Sequence, residues 1–193
     1  MIGGFLRFFG GYAFGFFSPV FFQAAYPQNQ QMYSILNATL ASLLCLMSSV
    51  GGGILSDTWR KHDPMSKAYI TIISSLGAVP FVIFCFLYLG NFTQAIVMLS
   101  GNYLIAEAWA SPAITMLLDS SKGNPGFTVN VYFLFATAGG ALSTAILNAL
   151  NKTQQNTARP IVYGDNLCYA MLISYIGCSP AFFMAGRSYK KSK

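Results

Sequence analysis

The chain has 193 residues, 54% of them hydrophobic and 8% charged, with a net charge of +6. Soluble globular domains carry about 25% charged residues, so this composition excludes one. A nucleic-acid-binding face is excluded too, because the bases lie in short joints and at the C-terminus, not along one soluble surface.

A bilayer span needs about 20 mostly apolar residues. Six runs meet that length: 3–26, 33–55, 68–89, 92–118, 127–150 and 167–186. Backbone in lipid has to satisfy its own hydrogen bonds, so each run is expected to be a helix. The expected architecture is an all-α, six-span membrane bundle with no soluble domain. No basic region precedes the first run, so no cleavable signal peptide is expected.

In the first run Tyr12, Phe16, Pro19 and Gln23 share one helical face, while Gly4, Gly11, Gly15 and Ser18 form a stripe suited to close packing. Arg7 lies in the first two turns and is expected to snorkel to the interface. The second run leads into Gly51-Gly52-Gly53-Ile54-Leu55-Ser56-Asp57, followed by Arg60, Lys61, His62 and Lys67. This dense block of charge between two apolar runs reads as a tight, solvated turn. In it Asp57 accepts hydrogen bonds from a helix N-terminus or an arginine.

The third and sixth runs carry no charge, Asn or Gln at their centres, and each has an internal proline (Pro80, Pro180). They are expected to face lipid. In the fourth, Ser100, Tyr103, Glu107 and Ser111 line one face, which ends at Pro112. In the fifth, Asn130, Thr137, Thr144 and Asn148 do the same beside Gly139-Gly140. Each polar stripe alone fits interhelical hydrogen bonding; three together favour a polar cavity. Glu107 is the single acid deep in a span, where a charge costs about 2.5–3.5 kcal/mol or more. It is therefore protonated, paired or facing water. Proton coupling, binding of a cationic group and a structural hydrogen bond are all open to it. The four cysteines (Cys45, Cys85, Cys168, Cys178) sit in apolar runs and read as small hydrophobic side chains, with no disulfide framework or metal site. Asn124-Pro125-Gly126 reads as a turn. Gly-rich phosphate loops, nucleophile elbows, paired carboxylates and Cys/His metal spacings do not occur, so neither an enzyme nor a cofactor is expected.

With the N-terminus inside, Arg7, Arg60, Lys61, Lys67, Lys122, Arg187, Lys190, Lys191 and Lys193 are cytoplasmic, against Lys152 and Arg159 outside. That asymmetry predicts two cytoplasmic termini. The sequons at Asn91 and Asn151 fall on the other side, in agreement.

With helix count, loop lengths, orientation and the charged joint in place, the chain resembles the C-terminal half of a major facilitator superfamily transporter. The family's cytoplasmic loop motif runs Gly-x-Leu-x-Asp and then bases. Gly53, Leu55 and Asp57 match it, and Arg60 and Lys61 keep its basic character. Thr58 stands where the family has a base, and Arg60 where it has glycine. The segments around Gly101–Trp109 and Ala138–Gly140 are similar to the spinster-like branch. The resemblance implies two inverted three-helix repeats, with helices one, two, four and five lining a substrate cavity. It also implies a small organic or amphiphilic solute, a second six-helix half as partner, and a plasma-membrane or endolysosomal location. The cavity residues so implied are Glu107, Tyr103, Ser100, Ser111, Tyr12, Gln23, Asn130 and Thr137.

Two functions remain open on the sequence. One is half of a secondary transporter, working by alternating access and coupled to protons through Glu107. The other is a non-transporting, transporter-derived subunit acting as an interaction scaffold. A titratable cavity carboxylate favours the first; a missing half replaced by unrelated partners would favour the second.

Overall fold

The structure is a computed structural model that describes residues 1–88, 90–121, 123–153 and 160–191. Leu89, Lys122, Arg159 and Lys193 lie outside it. The described residues form helices joined by short turns, with no strand. In chain order the helices are α1 (Ile2–Ala25), α2 (Gln30–Arg60), α3 (Ser66–Phe86), α4 (Phe92–Ala106), α5 (Ala110–Ser120), α6 (Pro125–Thr153) and α7 (Pro160–Lys191). A single 3-10 turn, Glu107–Trp109, joins α4 to α5, so the two make one interrupted rod. The other five helices are each long and apolar enough to cross a membrane. The bundle thus has six rods, as the six apolar runs predict.

The boundaries differ from expectation where charge predicts a loop. α2 runs through Ser56, Asp57, Thr58 and Trp59 to Arg60, so the expected turn shrinks to 61–65. Pro64 ends the helix: it lacks an N–H and disfavours helical backbone at Asp63. The Asp63 carboxylate then accepts the Met65 N–H at 3.0 Å. The three glycines are therefore mid-helix. Gly52 lies against the backbone of Ala108 and Gly53 against Ser111, and a Cβ at Gly52 would collide with the Ala108 carbonyl. Gly51 faces open space. Gly52→Leu is expected to destabilise the bundle by about 1–3 kcal/mol through overpacking, while Gly51→Leu leaves the unfolding midpoint in detergent unchanged.

α1 packs chiefly on α6 and α7, and the α4–α5 rod packs chiefly on α2 and α3. The two triplets meet where α3 and α7 pack on each other; there the Cys178 Sγ is 3.6 Å from the Ser75 hydroxyl. The sequence recurs across this division. Gly52-Gly53-x-Leu55-Ser56 on α2 reappears as Gly139-Gly140-x-Leu142-Ser143 on α6. Both serines bond back to the second glycine, Ser56 to Gly53 O at 2.9 Å and Ser143 to Gly140 O at 2.8 Å. Gly139 abuts the Phe5 backbone of α1, much as Gly52 abuts Ala108. On α3 and α7, Tyr69-x3-Ile73-Ser74-x2-Gly77-x2-Pro80 reappears as Tyr169-x3-Ile173-Ser174-x2-Gly177-x2-Pro180. In both copies Ser is buried, and Ile and Pro are exposed.

The expectation that the third and sixth runs mainly face lipid is corrected. Half of the apolar window of α7 is buried (50%), against 11% for α2. Val82, Met171 and Cys178 are fully enclosed, although Ile73, Phe84, Ile173 and Met184 remain exposed. A span without polar groups suits a protein interior as well as lipid, since neither demands hydrogen bonds. The small-residue stripe of α1 also divides: Gly4 and Ser18 are buried, while Gly11 and Gly15 touch nothing.

Candidate functional site

The interruption of the fourth rod follows from Pro112. It has no N–H to give the Ala108 carbonyl four residues back, and that carbonyl leans on Gly52 instead. One turn earlier, the Ala110 N–H bonds to Glu107 O, three residues back. Ala106 O thereby loses its regular helical donor. Arg7 of α1 supplies the replacement, Nη2 donating to Ala106 O at 2.6 Å. The same nitrogen lies 3.5 Å from Glu107 Oε1.

Arg7 does not snorkel. Only 2% of it is exposed, and its guanidinium lies 4.3 Å from the Tyr175 ring centre and 5.3 Å from that of Trp109. Tyr175 in turn donates to Asn102 Oδ1 at 3.2 Å. Snorkelling fails because the cation finds at depth an orphan carbonyl, a carboxylate and two ring faces, which together replace hydration. The Glu107 side chain keeps 36% exposure, so this pair has one enclosed member and one open member.

The other residues read as one cavity separate into two groups. Tyr103 is buried and donates to Asn37 Oδ1 of α2 at 2.6 Å. Ser111 rests on Gly53, and Ser100 bonds back to Ile96 O at 2.7 Å. Tyr103 and Ser111 thus join the fourth rod to α2, whereas the Ser100 bond stays within α4. Gln23, Asn130 and Thr137 are exposed on α1 and α6, and Tyr12 is half-buried against Gly140. The α1 and α6 stripes meet around a hollow of about 370 Å³ lined by Phe16, Thr144 and Asn148. Glu107 is not among its lining residues.

At the end of the bundle that carries the bases, Asp57, Lys61 and Leu55 are exposed, and Asp57 takes no hydrogen bond from a described residue. The acid that organises this end is Asp119, at the end of α5. It receives the Tyr189 hydroxyl at 2.6 Å and Lys67 Nζ at 3.3 Å, with Arg60 Nη1 at 3.7 Å. Lys67, expected in a solvated turn, is 2% exposed. The Tyr189 hydroxyl chiefly holds the Asp119 carboxyl below the usual carboxylate range; burial, the next largest effect, opposes it, and Lys67 and Arg60 add to the lowering.

No family model, curated protein or solved structure matches the chain. The site therefore rests on its own geometry. Arg7, Asn37, Asn102 and Asp119 join the site only through packing, which their place in the sequence does not reveal. For Arg7 and Glu107 the available signal was that two opposite charges stood inside apolar runs, each needing a partner at depth.

Proposed function

We propose that the chain is one six-helix half of a secondary transporter of the major facilitator type. It moves a small organic or amphiphilic solute by alternating access, and Glu107 is its coupling carboxylate. The observation that carries this reading is a half-open ion pair, Glu107 with buried Arg7, at the interruption of a membrane-length rod. Interrupted helices at mid-membrane are where transporters bind solutes and coupling ions. Further support comes from the paired Gly-Gly-x-Leu-Ser and Tyr…Ile-Ser…Gly…Pro patterns on helices that run in opposite directions, α2 against α6 and α3 against α7. Together with the exchanged packing of the triplets, they fit two inverted three-helix repeats. The basic end, with both termini, is assigned to the cytoplasm.

Two experiments test the reading. Tags at Met1 and Lys193 should both be shielded in intact cells, and a tag at 154–156 reachable from outside; termini on opposite sides would sink the topology. In proteoliposomes holding the chain with its second half, organic anions and single-chain lipids are screened for uptake driven by an inward proton gradient. Glu107→Gln keeps the shape and hydrogen bonds of a protonated carboxyl and cannot titrate. It should abolish gradient-driven accumulation, at least about tenfold, and spare solute exchange. Undiminished driven uptake would end the coupling role.

The scaffold reading draws on Tyr103 and Ser111, whose polar groups serve helix packing. It expects Glu107→Gln to be silent in every transport assay and an unrelated partner to bind the open α1–α6 face.

A further inference from the structure

Where the two triplets separate at the basic end, a groove of about 760 Å³ opens between α5 and α7, bounded by the start of α1 and by Tyr132 of α6. Its wall is apolar (Met116, Leu117, Ala181, Phe182), and at its mouth stand Ile2 and Met184, 71% and 69% exposed. Along α7 it extends from Ser188 to Gly177, a rise of about 16 Å at 1.5 Å per residue. That is the depth of one leaflet, half of a hydrocarbon core about 30 Å thick.

The groove is graded from apolar to polar. Its outer end carries Ser120, Ser188, Tyr189 and Asp119. Asp119 brings no free negative charge, being held by Lys67, Arg60 and Tyr189. At the same end of the bundle, outside the groove's own lining, Arg60, Lys61, Lys67, Arg187, Lys190 and Lys191 outnumber Asp57, Asp63 and Asp119. Asp63 is itself paired with Lys190 at 3.6 Å. Beside Gly4, the Tyr132 hydroxyl is buried with no hydrogen-bond partner among the described residues. A buried hydroxyl of this kind leaves a donor and an acceptor unspent, at a cost unless a ligand supplies the partner.

We propose that this groove is a binding site for an anionic phospholipid of the leaflet on the basic side. One acyl chain lies along Phe182 and Met116, the headgroup phosphate sits at the basic end, and Tyr132 donates to a lipid oxygen. A chain one leaflet deep matches the length of the apolar wall, and a net-positive end of the bundle at headgroup level selects negative charge. The site is separate from Glu107 and Arg7 and does not depend on transport.

The test uses the fluorescence of Trp109, which is 6% exposed and whose ring lies 6.0 Å from Phe182 on the groove wall. The second tryptophan, Trp59, is 38% exposed and is removed as Trp59→Phe. The full-length variant is reconstituted in phosphatidylcholine vesicles containing a minor fraction of phosphatidylglycerol, with bromine on the acyl chains of one lipid or the other at equal mole fraction. Brominated phosphatidylglycerol should quench Trp109 at least about threefold more than brominated phosphatidylcholine. Ala181→Phe should remove that excess by filling the groove. Gly177→Met does the same from a position where a Cβ meets nothing nearer than Leu6 Cδ1 at 3.7 Å, and so guards against a folding defect in the first variant. Neutralising Arg187, Lys190 and Lys191 together should equalise the two lipids. Equal quenching by both lipids in the unfilled protein, no quenching by either, or an excess that survives both filling substitutions would each overturn the proposal.

Discussion

Glu107→Leu should lower the stability of the bundle by about 3 kcal/mol, because it leaves a buried guanidinium without its counter-charge. This is the low end for a broken buried pair, because 36% of the Glu107 side chain is exposed. The Arg7 side chain is 1% exposed, and Glu107 is its only ion-pair partner among the described residues. The reverse substitution is asymmetric. Arg7→Leu removes the enclosed charge and leaves Glu107, 36% exposed, where solvent can reach it. Its cost is then mainly the Ala106 carbonyl without a donor, about 1–3 kcal/mol, with the lost contacts to the Tyr175 and Trp109 rings. Losing the carboxylate should therefore damage the fold more than losing the base. The double variant Arg7→Met with Glu107→Leu should recover most of the loss, since a buried pair replaced by apolar groups is often neutral. Unfolding midpoints in one detergent decide this. Equal midpoints for Glu107→Leu and the unsubstituted chain would mean that Arg7 is solvated after all. The same asymmetry makes Glu107→Gln the right probe of coupling: it keeps an oxygen facing Arg7, so a lost activity is not a lost fold.

The rods were legible in the sequence because their cause is simple. Runs of about 20 apolar residues in lipid have no alternative to helix, and all six appear. What the runs face was less legible. α3 and α7 lack polar groups, which suits lipid and protein interior equally, so their central place could not be read from composition. The ends of α2 misled for a related reason. Asp57, Thr58 and Arg60 look like loop residues, yet helix propensity tolerates them, and only Pro64 carries a steric reason to stop. Of the polar residues at 100, 103, 107 and 111 in the fourth run, Tyr103 meets α2, Glu107 meets Arg7, and Ser100 bonds within its own helix. The purpose of Tyr103 was hidden because Asn37, its partner, stands 66 residues away on another helix. Arg7 and Glu107 show the same limit. Each needed a partner at depth, but only packing brings residues 100 positions apart within 3.5 Å. The internal patterns lay in plain view in the chain, and they acquired meaning once both copies of Gly-Gly were found at helix crossings.

Asp119→Leu should loosen the basic end by about 2–4 kcal/mol, because it removes the acid beside Lys67, a base that is 2% exposed. The lower half of that range applies, since 30% of the Asp119 side chain remains exposed and water screens it. Asp119 joins α2 through Arg60, α3 through Lys67 and α7 through Tyr189. The loss should therefore appear as faster amide exchange at the ends of these helices and not at the Arg7 site. Lys67→Met in the same chain should restore much of the stability, as no buried charge is then left over. The pH response has a definite sign. The folded-state pKa of Asp119 is lowered, so its contribution is complete above the ordinary carboxylate range and disappears as pH falls through the lowered value. The difference in unfolding midpoint between the parent chain and Asp119→Leu should stay constant from about pH 8 to about pH 5 and close only in stronger acid. A difference that already closes near neutrality would place the stabilising carboxylate elsewhere, and Asp57 and Asp63 at the same end would be the next to replace.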